Sequence, residues 1–177
     1  SILNRGNVGK ATRLLIWLYA RTWKLLLSPV VVFHTHGLDE VTKAHPCIIV
    51  ANHTSFLDPY CMGVLSFCDL TFTPRDWPFK IIFYRPFMLL AGYINTESGG
   101  LEAVIENGRR VLDGGGSLLF FPEGHRSKDG RLGRFYSGAF KLASETGASV
   151  VPLCIQGTGD ILRPGSMWMR PGDITIT

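Results

Sequence analysis

Short apolar runs without polar alternation punctuate this chain. Ile48-Ile49-Val50-Ala51, Ser117-Leu118-Leu119-Phe120-Phe121 and Ser149-Val150-Val151-Pro152-Leu153-Cys154-Ile155 are each too short for a helix. Their continuous apolar character is that of strands buried on both faces. Val30-Val31-Val32-Phe33-His34-Thr35-His36 reads as a further strand, broken by Gly37, and Gly92-Tyr93-Ile94-Asn95 as a short one. Between these runs the period becomes helical. Leu101, Val104, Ile105, Val111 and Leu112 recur at helical spacing before Gly114-Gly115-Gly116, and residues 59–67 and 138–146 read as helices. Strands separated by helices imply an α/β fold, with a mixed, largely buried sheet flanked by helices. There is no internal repeat and no low-complexity linker.

Residues 10–28 carry strong helix formers and neither Pro nor Gly until Pro29. At about 100° per residue, Lys10, Arg13, Arg21 and Lys24 fall within a stripe of roughly 60°, with Trp17 in its middle and leucines around the rest. At roughly 28 Å such a helix nearly matches a bilayer, but Arg21 and Lys24 would each cost about 2.5–3.5 kcal/mol near the centre. Lying in the membrane interface is the better solution, since each basic residue there gains about 1 kcal/mol against anionic lipid. The plainer alternative is a core helix with one solvated charged side. The expected organisation is an amphipathic membrane-associating segment over residues 1–28 and a catalytic domain over 29–177.

Composition adds constraints. The chain has 177 residues, 46% of them hydrophobic, and a net charge of +4; its mean hydropathy is +0.17. That length suffices for one domain with a substantial core. Arg5, Lys10, Arg13, Arg21 and Lys24 face no acid before Asp39, so the excess positive charge belongs to the N-terminal segment and predicts a local anionic partner, not nucleic acid. Cys47, Cys61, Cys68 and Cys154 show no C-x-x-C spacing and read as reduced core thiols of a cytosolic protein. His34 and His36 share a strand face but lack an evident third ligand, so no metal is expected. The chain starts with Ser and stops in the alternating Ile174-Thr175-Ile176-Thr177, which reads as a piece of a longer protein.

Candidate chemistry sits at two strand ends. His53 and Asp58 follow the run 48–51, and strand ends are where open α/β sheets place their sites. A neutral imidazole can take a proton from a hydroxyl, and a carboxylate on its other nitrogen can fix the tautomer. Asp58 before Pro59 could equally cap a helix. The second cluster is Phe121-Pro122-Glu123-Gly124-His125-Arg126-Ser127, where glycine permits close backbone approach and arginine can form a paired contact with phosphate. The basic loop beyond it carries Lys128, Arg131 and Arg134 against one acid, Asp129.

Together these clusters carry a resemblance. Asn52-His53-Thr54-Ser55-Phe56-Leu57-Asp58 is similar to the N-H-x-x-x-x-D motif of the glycerolipid acyltransferases, the family of the 1-acylglycerol-3-phosphate acyltransferases. Residues 121–127 resemble their F-P-E-G-T-R-S motif, and Val151-Pro152-Leu153-Cys154-Ile155 their closing V-P-hydrophobic strand. The resemblance implies a glycerol-3-phosphate acyltransferase-like sandwich on the cytoplasmic face of a membrane. It implies transfer of a fatty acyl group from a thioester, acyl-CoA or acyl-carrier protein, to a lysophospholipid hydroxyl, with no cofactor beyond that co-substrate. By carry-over, His53 is the base, Asp58 its orienting acid, and Glu123, Gly124, His125 and Arg126 bind the acceptor head group. Two departures stand out: His125 replaces the usual Thr, and Gly92-Tyr93-Ile94-Asn95-Thr96-Glu97-Ser98 lacks the arginine of the family's second motif. Arg75, Arg85 and Lys128 are candidate substitutes, or the acceptor is another lysolipid. Residues 79–90, split by Pro86, fit a helix, a membrane-facing surface or an acyl-chain wall. A catalytically altered lipid-binding or scaffolding domain is the alternative function, whereas a lipid hydrolase would need a G-x-S-x-G elbow, which is absent.

Overall fold

The computed structural model describes residues 2–163, 165–166 and 168–177, with side chains from residue 6 onward; the expectation for Arg5 therefore lies outside the described side chains. In chain order the elements are α1 (Ile2–Leu27), β1 (Val31–Thr35), α2 (Asp39–Ala44), β2 (Ile48–Ala51), α3 (Asp58–Cys61), β3 (Leu70–Phe72), α4 (Trp77–Lys80), α5 (Arg85–Leu90), α6 (Gly100–Asp113), β4 (Ser117–Phe120), α7 (Gly138–Thr146), β5 (Val150–Leu153), β6 (Ile155–Gln156), α8 (Thr158–Ile161) and β7 (Gly172–Ile176).

Two sheets replace the single mixed sheet expected. A four-stranded sheet ordered β3-β4-β2-β5 is parallel throughout, with Ile49 opposite Leu119 on one side and Val151 on the other. A three-stranded sheet ordered β1-β7-β6 is mixed, since β7 runs parallel to β1 and antiparallel to β6. The run read as one strand to Ile155 divides at Cys154, which exchanges backbone bonds with Thr177 at 2.8 and 3.1 Å. The chain thus leaves one sheet and joins the other within a residue.

The continuous apolar runs have the expected cause. Ile48, Val50, Leu118 and Phe120 pack on one side against Val104, Leu112 and Leu142 of α6 and α7. Ile49, Ala51, Leu119 and Leu153 pack on the other against Cys61, Leu65, Ile155 and Ile174. Both faces of the central strands are covered, so neither face can be polar.

Helix α1 departs most from expectation. It begins at Ile2, through Gly6 and Gly9, and its basic stripe turns partly inward. Arg13 donates to both oxygens of Asp69 at 2.7 and 3.1 Å and to the Ala91 carbonyl at 2.6 Å. Trp17 Nε1–H donates to the Leu65 carbonyl at 3.0 Å. Ala20 is buried against Gly63, where a Cβ would come within 2.7 Å of the Ala20 backbone. Arg21 lies 4.8 Å over the Trp17 ring and Lys24 5.6 Å over Phe33. The outward side carries large apolar residues, Leu15 at 66% exposed and Leu25 at 72%, beside the exposed Lys10 and Arg21. No described helix is long and apolar enough to cross a membrane.

Shorter corrections follow the same logic. The helix expected to reach residue 67 becomes α3 and a turn over Met62–Val64, ending where Leu65 takes up extended backbone. Residues 92–95 form no strand; Ile94 N–H reaches the Phe72 carbonyl at 3.1 Å and Thr96 N–H the Pro74 carbonyl at 3.0 Å. Residues 79–90 are parts of α4 and α5 around an apolar turn in which Ile82 and Phe83 are exposed. Cys47, Cys61 and Cys68 are buried as expected of core thiols, but Cys154 is exposed because its strand-end position faces outward.

Candidate active site

Strand β2 delivers its last residues into a turn that is fixed side chain by side chain. Asn52 mimics a neighbouring strand: its Nδ2 donates to the Ile155 carbonyl at 2.8 Å and its Oδ1 accepts the Ile155 N–H at 2.7 Å. His53 follows, its ring stacked on Phe121 with centroids 4.2 Å apart. Asp58 Oδ2 accepts from His53 Nδ1 at 2.7 Å, from Thr54 N–H at 2.7 Å and from Ser55 N–H at 2.8 Å. A carboxylate bonded in this way only accepts, so Nδ1 carries the proton and Nε2 keeps its lone pair. Asp58 is fully buried and makes no side-chain cap on α3; the helix-cap alternative is excluded by where its oxygens point.

The second cluster docks against the first. Glu123, only 1% exposed, accepts the His53 N–H on Oε1 at 2.9 Å and the Gly133 N–H on Oε2 at 2.8 Å. Ser127 N–H donates to the His53 carbonyl at 2.7 Å. The peptide of His53 is therefore held on both sides by residues 123–127. Gly124 has a φ of +69° and faces the Tyr136 ring, which a Cβ would approach to 2.9 Å. His125 Nδ1–H donates to the Glu123 carbonyl at 2.7 Å, which leaves its Nε2 outward.

A cavity of about 1680 Å³ opens beside His53, and its apolar wall includes Trp17, Leu65, Phe72 and Phe83. Helix α1 and the sheet edge enclose it between them. Gly124, His125 and Arg126 line it and Glu123 does not. Of the candidate substitutes for the second-motif arginine, Arg75 and Lys128 line this cavity, while Arg85 lines a separate hollow of about 640 Å³. Arg75 Nε donates to Glu97 Oε1 at 2.8 Å and the Asp76 N–H to Oε2 at 2.8 Å. That amide first, then the guanidinium, holds the Glu97 carboxyl below its ordinary value. Among the described residues Arg126 and Lys128 form no ion pair. His34 on β1 and His36 just beyond it are exposed, and no described cluster of three His, Cys, Asp or Glu could hold a metal ion.

Sequence reasoning missed Thr158. Its Oγ1–H donates to Asp58 Oδ1 at 2.5 Å and it is fully buried. Phe121, expected as a strand end and a motif residue, is also the ring on which His53 rests.

The chain can also be compared with known proteins. The Acyltransferase family pattern matches residues 32–156. The chloroplastic 1-acyl-sn-glycerol-3-phosphate acyltransferase of Brassica napus is 34% identical over 163 residues, covering 89% of this chain and 47% of that protein. The chloroplastic enzyme of that name from Arabidopsis thaliana is 35% identical over 152 residues, covering 83% of this chain and 42% of that protein. The chain thus spans less than half the length of these relatives. The crystal structure of the 1-acyl-sn-glycerophosphate acyltransferase PlsC from Thermotoga maritima superposes with a TM-score of 0.76 at 24% identity, covering 94% of this chain and 68% of that one.

Proposed function

Because this chain belongs to the Acyltransferase family, we propose that it moves a fatty acyl group from a thioester donor to the free hydroxyl of a lysophosphatidate-type acceptor. The observation that carries this reading is His53, tautomerically fixed by Asp58 at 2.7 Å on the wall of a large, mainly apolar cavity.

The acceptor O–H gives its proton to His53 Nε2 as its oxygen attacks the thioester carbonyl carbon. When the tetrahedral intermediate collapses, the C–S bond breaks and the proton passes from Nε2 to the departing sulfur. No acyl-enzyme is needed, and Asp58 stabilises the imidazolium between the two transfers. The donor is acyl-CoA or acyl-carrier protein, and the acyl chain occupies the cavity between α1 and the sheet.

The acceptor phosphate is met by Arg126 and Lys128 on the same cavity wall, which supply the charge that the second motif lacks, and by Arg75 as it exchanges its Glu97 partner for the phosphate. Their placement supports a phosphate-bearing acceptor over a neutral lysolipid. Glu123, with both oxygens on backbone amides, shapes the turn around His53.

The outward leucines of α1, with Ile82 and Phe83, lie on an anionic membrane surface, the cytoplasmic face of the bilayer, so that the lipid acceptor reaches the cavity without crossing water. The leucines meet the lipid, Arg13 faces the domain, and the exposed Lys10 and Arg21 remain available to anionic head groups. Labelled acyl-CoA and acyl-carrier-protein donors offered with a panel of lysolipids test the whole reading. Transfer to 1-acylglycerol-3-phosphate in preference to neutral lysolipids is expected; lipid binding without transfer from either donor would instead mean a binding or scaffolding domain.

A further inference from the structure

We propose that Thr158 is a positioning residue for the proton transfer, the link that joins Thr54 to Asp58 in a hydrogen-bonded chain running from Thr54 through Thr158 and Asp58 to His53. This rests on the reading of His53 as the base.

The direction of each bond follows from what each atom can do. Asp58 Oδ1 can only accept, so the 2.5 Å contact with Thr158 Oγ1 consumes the Thr158 hydroxyl proton. Thr158 Oγ1 then has only lone pairs for Thr54 Oγ1, 3.0 Å away, and Thr54 must donate. Oδ2 is already occupied by His53 Nδ1 and the amides of Thr54 and Ser55. Without Thr158 the other oxygen would be a buried acceptor with no described partner, free to rotate the carboxylate away from the imidazole. Linked donors and acceptors in a buried site also polarise one another.

The fold invests in this hydroxyl. Gly157 adopts a φ of +87°, and a Cβ there would lie 1.9 Å from the Asp173 carbonyl of β7, so only glycine lets the chain turn from β6 into α8 at this point. Immediately after it, Thr158 is fully buried and faces the 53–58 turn. Gly159 lies against Thr54, to whose side chain a Cβ would come within 3.5 Å, and Ser55 Oγ donates to the Leu162 carbonyl at 3.0 Å. Helix α8 and the residue after it are thus docked on the catalytic turn at positions 158, 159 and 162. The family match ends at residue 156, short of this turn.

Steady-state kinetics of Thr158→Val and Thr158→Ser in the full-length protein test the inference, with 1-oleoylglycerol-3-phosphate as acceptor and both donor types. Thr158→Val keeps the shape and removes the donor; kcat is expected to fall by about tenfold to a hundredfold, as for a displaced catalytic group, with KM for both substrates within about twofold. Thr158→Ser restores the hydroxyl and should recover most of kcat. A folded Thr158→Val with parental kcat, or a Thr158→Ser as slow as Thr158→Val, overturns the proposal. Should Thr158→Val fail to fold, Thr54→Val carries the test: a smaller fall in kcat at unchanged KM supports the relay and unchanged kcat overturns it. His53→Ala measured alongside separates the two readings, because an active His53→Ala sinks the base assignment, whereas an inactive one beside a fully active Thr158→Val sinks only the relay.

Discussion

The backbone N–H of His53 points at Glu123, whose Oε1 accepts it across 2.9 Å. Two motifs separated by the whole of α6 and β4 meet in that bond, and the Gly133 N–H on the other oxygen ties in the basic loop. Glu123→Gln can keep only one of the two acceptors and turns an amide N–H toward another. It should cost about 1–3 kcal/mol in urea unfolding, the range for an unsatisfied buried group, and lower kcat more than it raises KM. A variant with intact stability and kcat but a raised acceptor KM would return Glu123 to the acceptor-binding role implied by family resemblance.

Membrane docking should depend on leucines rather than on the buried arginine. Leu25→Asn with Leu26→Asn removes two outward side chains of α1, each contributing about 1.5–3 kcal/mol if fully buried in lipid. Partitioning onto vesicles of mixed neutral and anionic lipid should fall at least about tenfold, read by co-sedimentation. Equal sedimentation of variant and parent would mean that another surface meets the membrane.

Head-group recognition predicts a selective loss. Arg126→Ala and Arg75→Ala should raise KM for lysophosphatidate by about tenfold or more, the scale of a lost charged hydrogen bond, while leaving transfer to a monoacylglycerol little changed. Equal losses on both acceptors would place these cations outside the phosphate site.

The core thiols give an alkaline signature. Burial pushes the Cys68 thiol up to about 12, with Cys47 and Asp69 adding to the shift. The folded state therefore holds this proton more tightly than the unfolded chain. Cys68 contributes its full stability below the ordinary thiol range near 9.0 and loses it progressively as pH rises toward about 12. The urea midpoint of the parent should fall more steeply above pH 9 than that of Cys68→Ala; parallel curves would contradict it.

Much of the fold was legible because the central strands are covered on both faces: an uninterrupted run such as Ile48 to Ala51 has few other uses. The division at Cys154 was not legible, since the bonds that split the strand come from Thr177 and carry no local signal. The inward turn of Arg13 was not legible for a related reason. Periodicity identifies a stripe but not what it faces, and the partner of Arg13 is Asp69, 56 residues away. At the candidate site, the pairing of His53 with Asp58 was legible from type and spacing, and the roles expected of them came from the family resemblance. Thr158 was not legible, because a lone threonine after a Gly turn resembles any other until Asp58 Oδ1 is seen beside it. Its one local trace is Gly157, whose φ of +87° marks a turn that no other residue could make there.

The most direct test of the central claim is single-turnover acyl transfer from a labelled thioester to 1-acylglycerol-3-phosphate by His53→Ala, with folding checked by circular dichroism. General-base help of this kind is worth about 10²–10⁴-fold, so the rate should fall by at least a hundredfold while acceptor binding persists. A folded His53→Ala that transfers acyl groups at the parental rate would contradict the account.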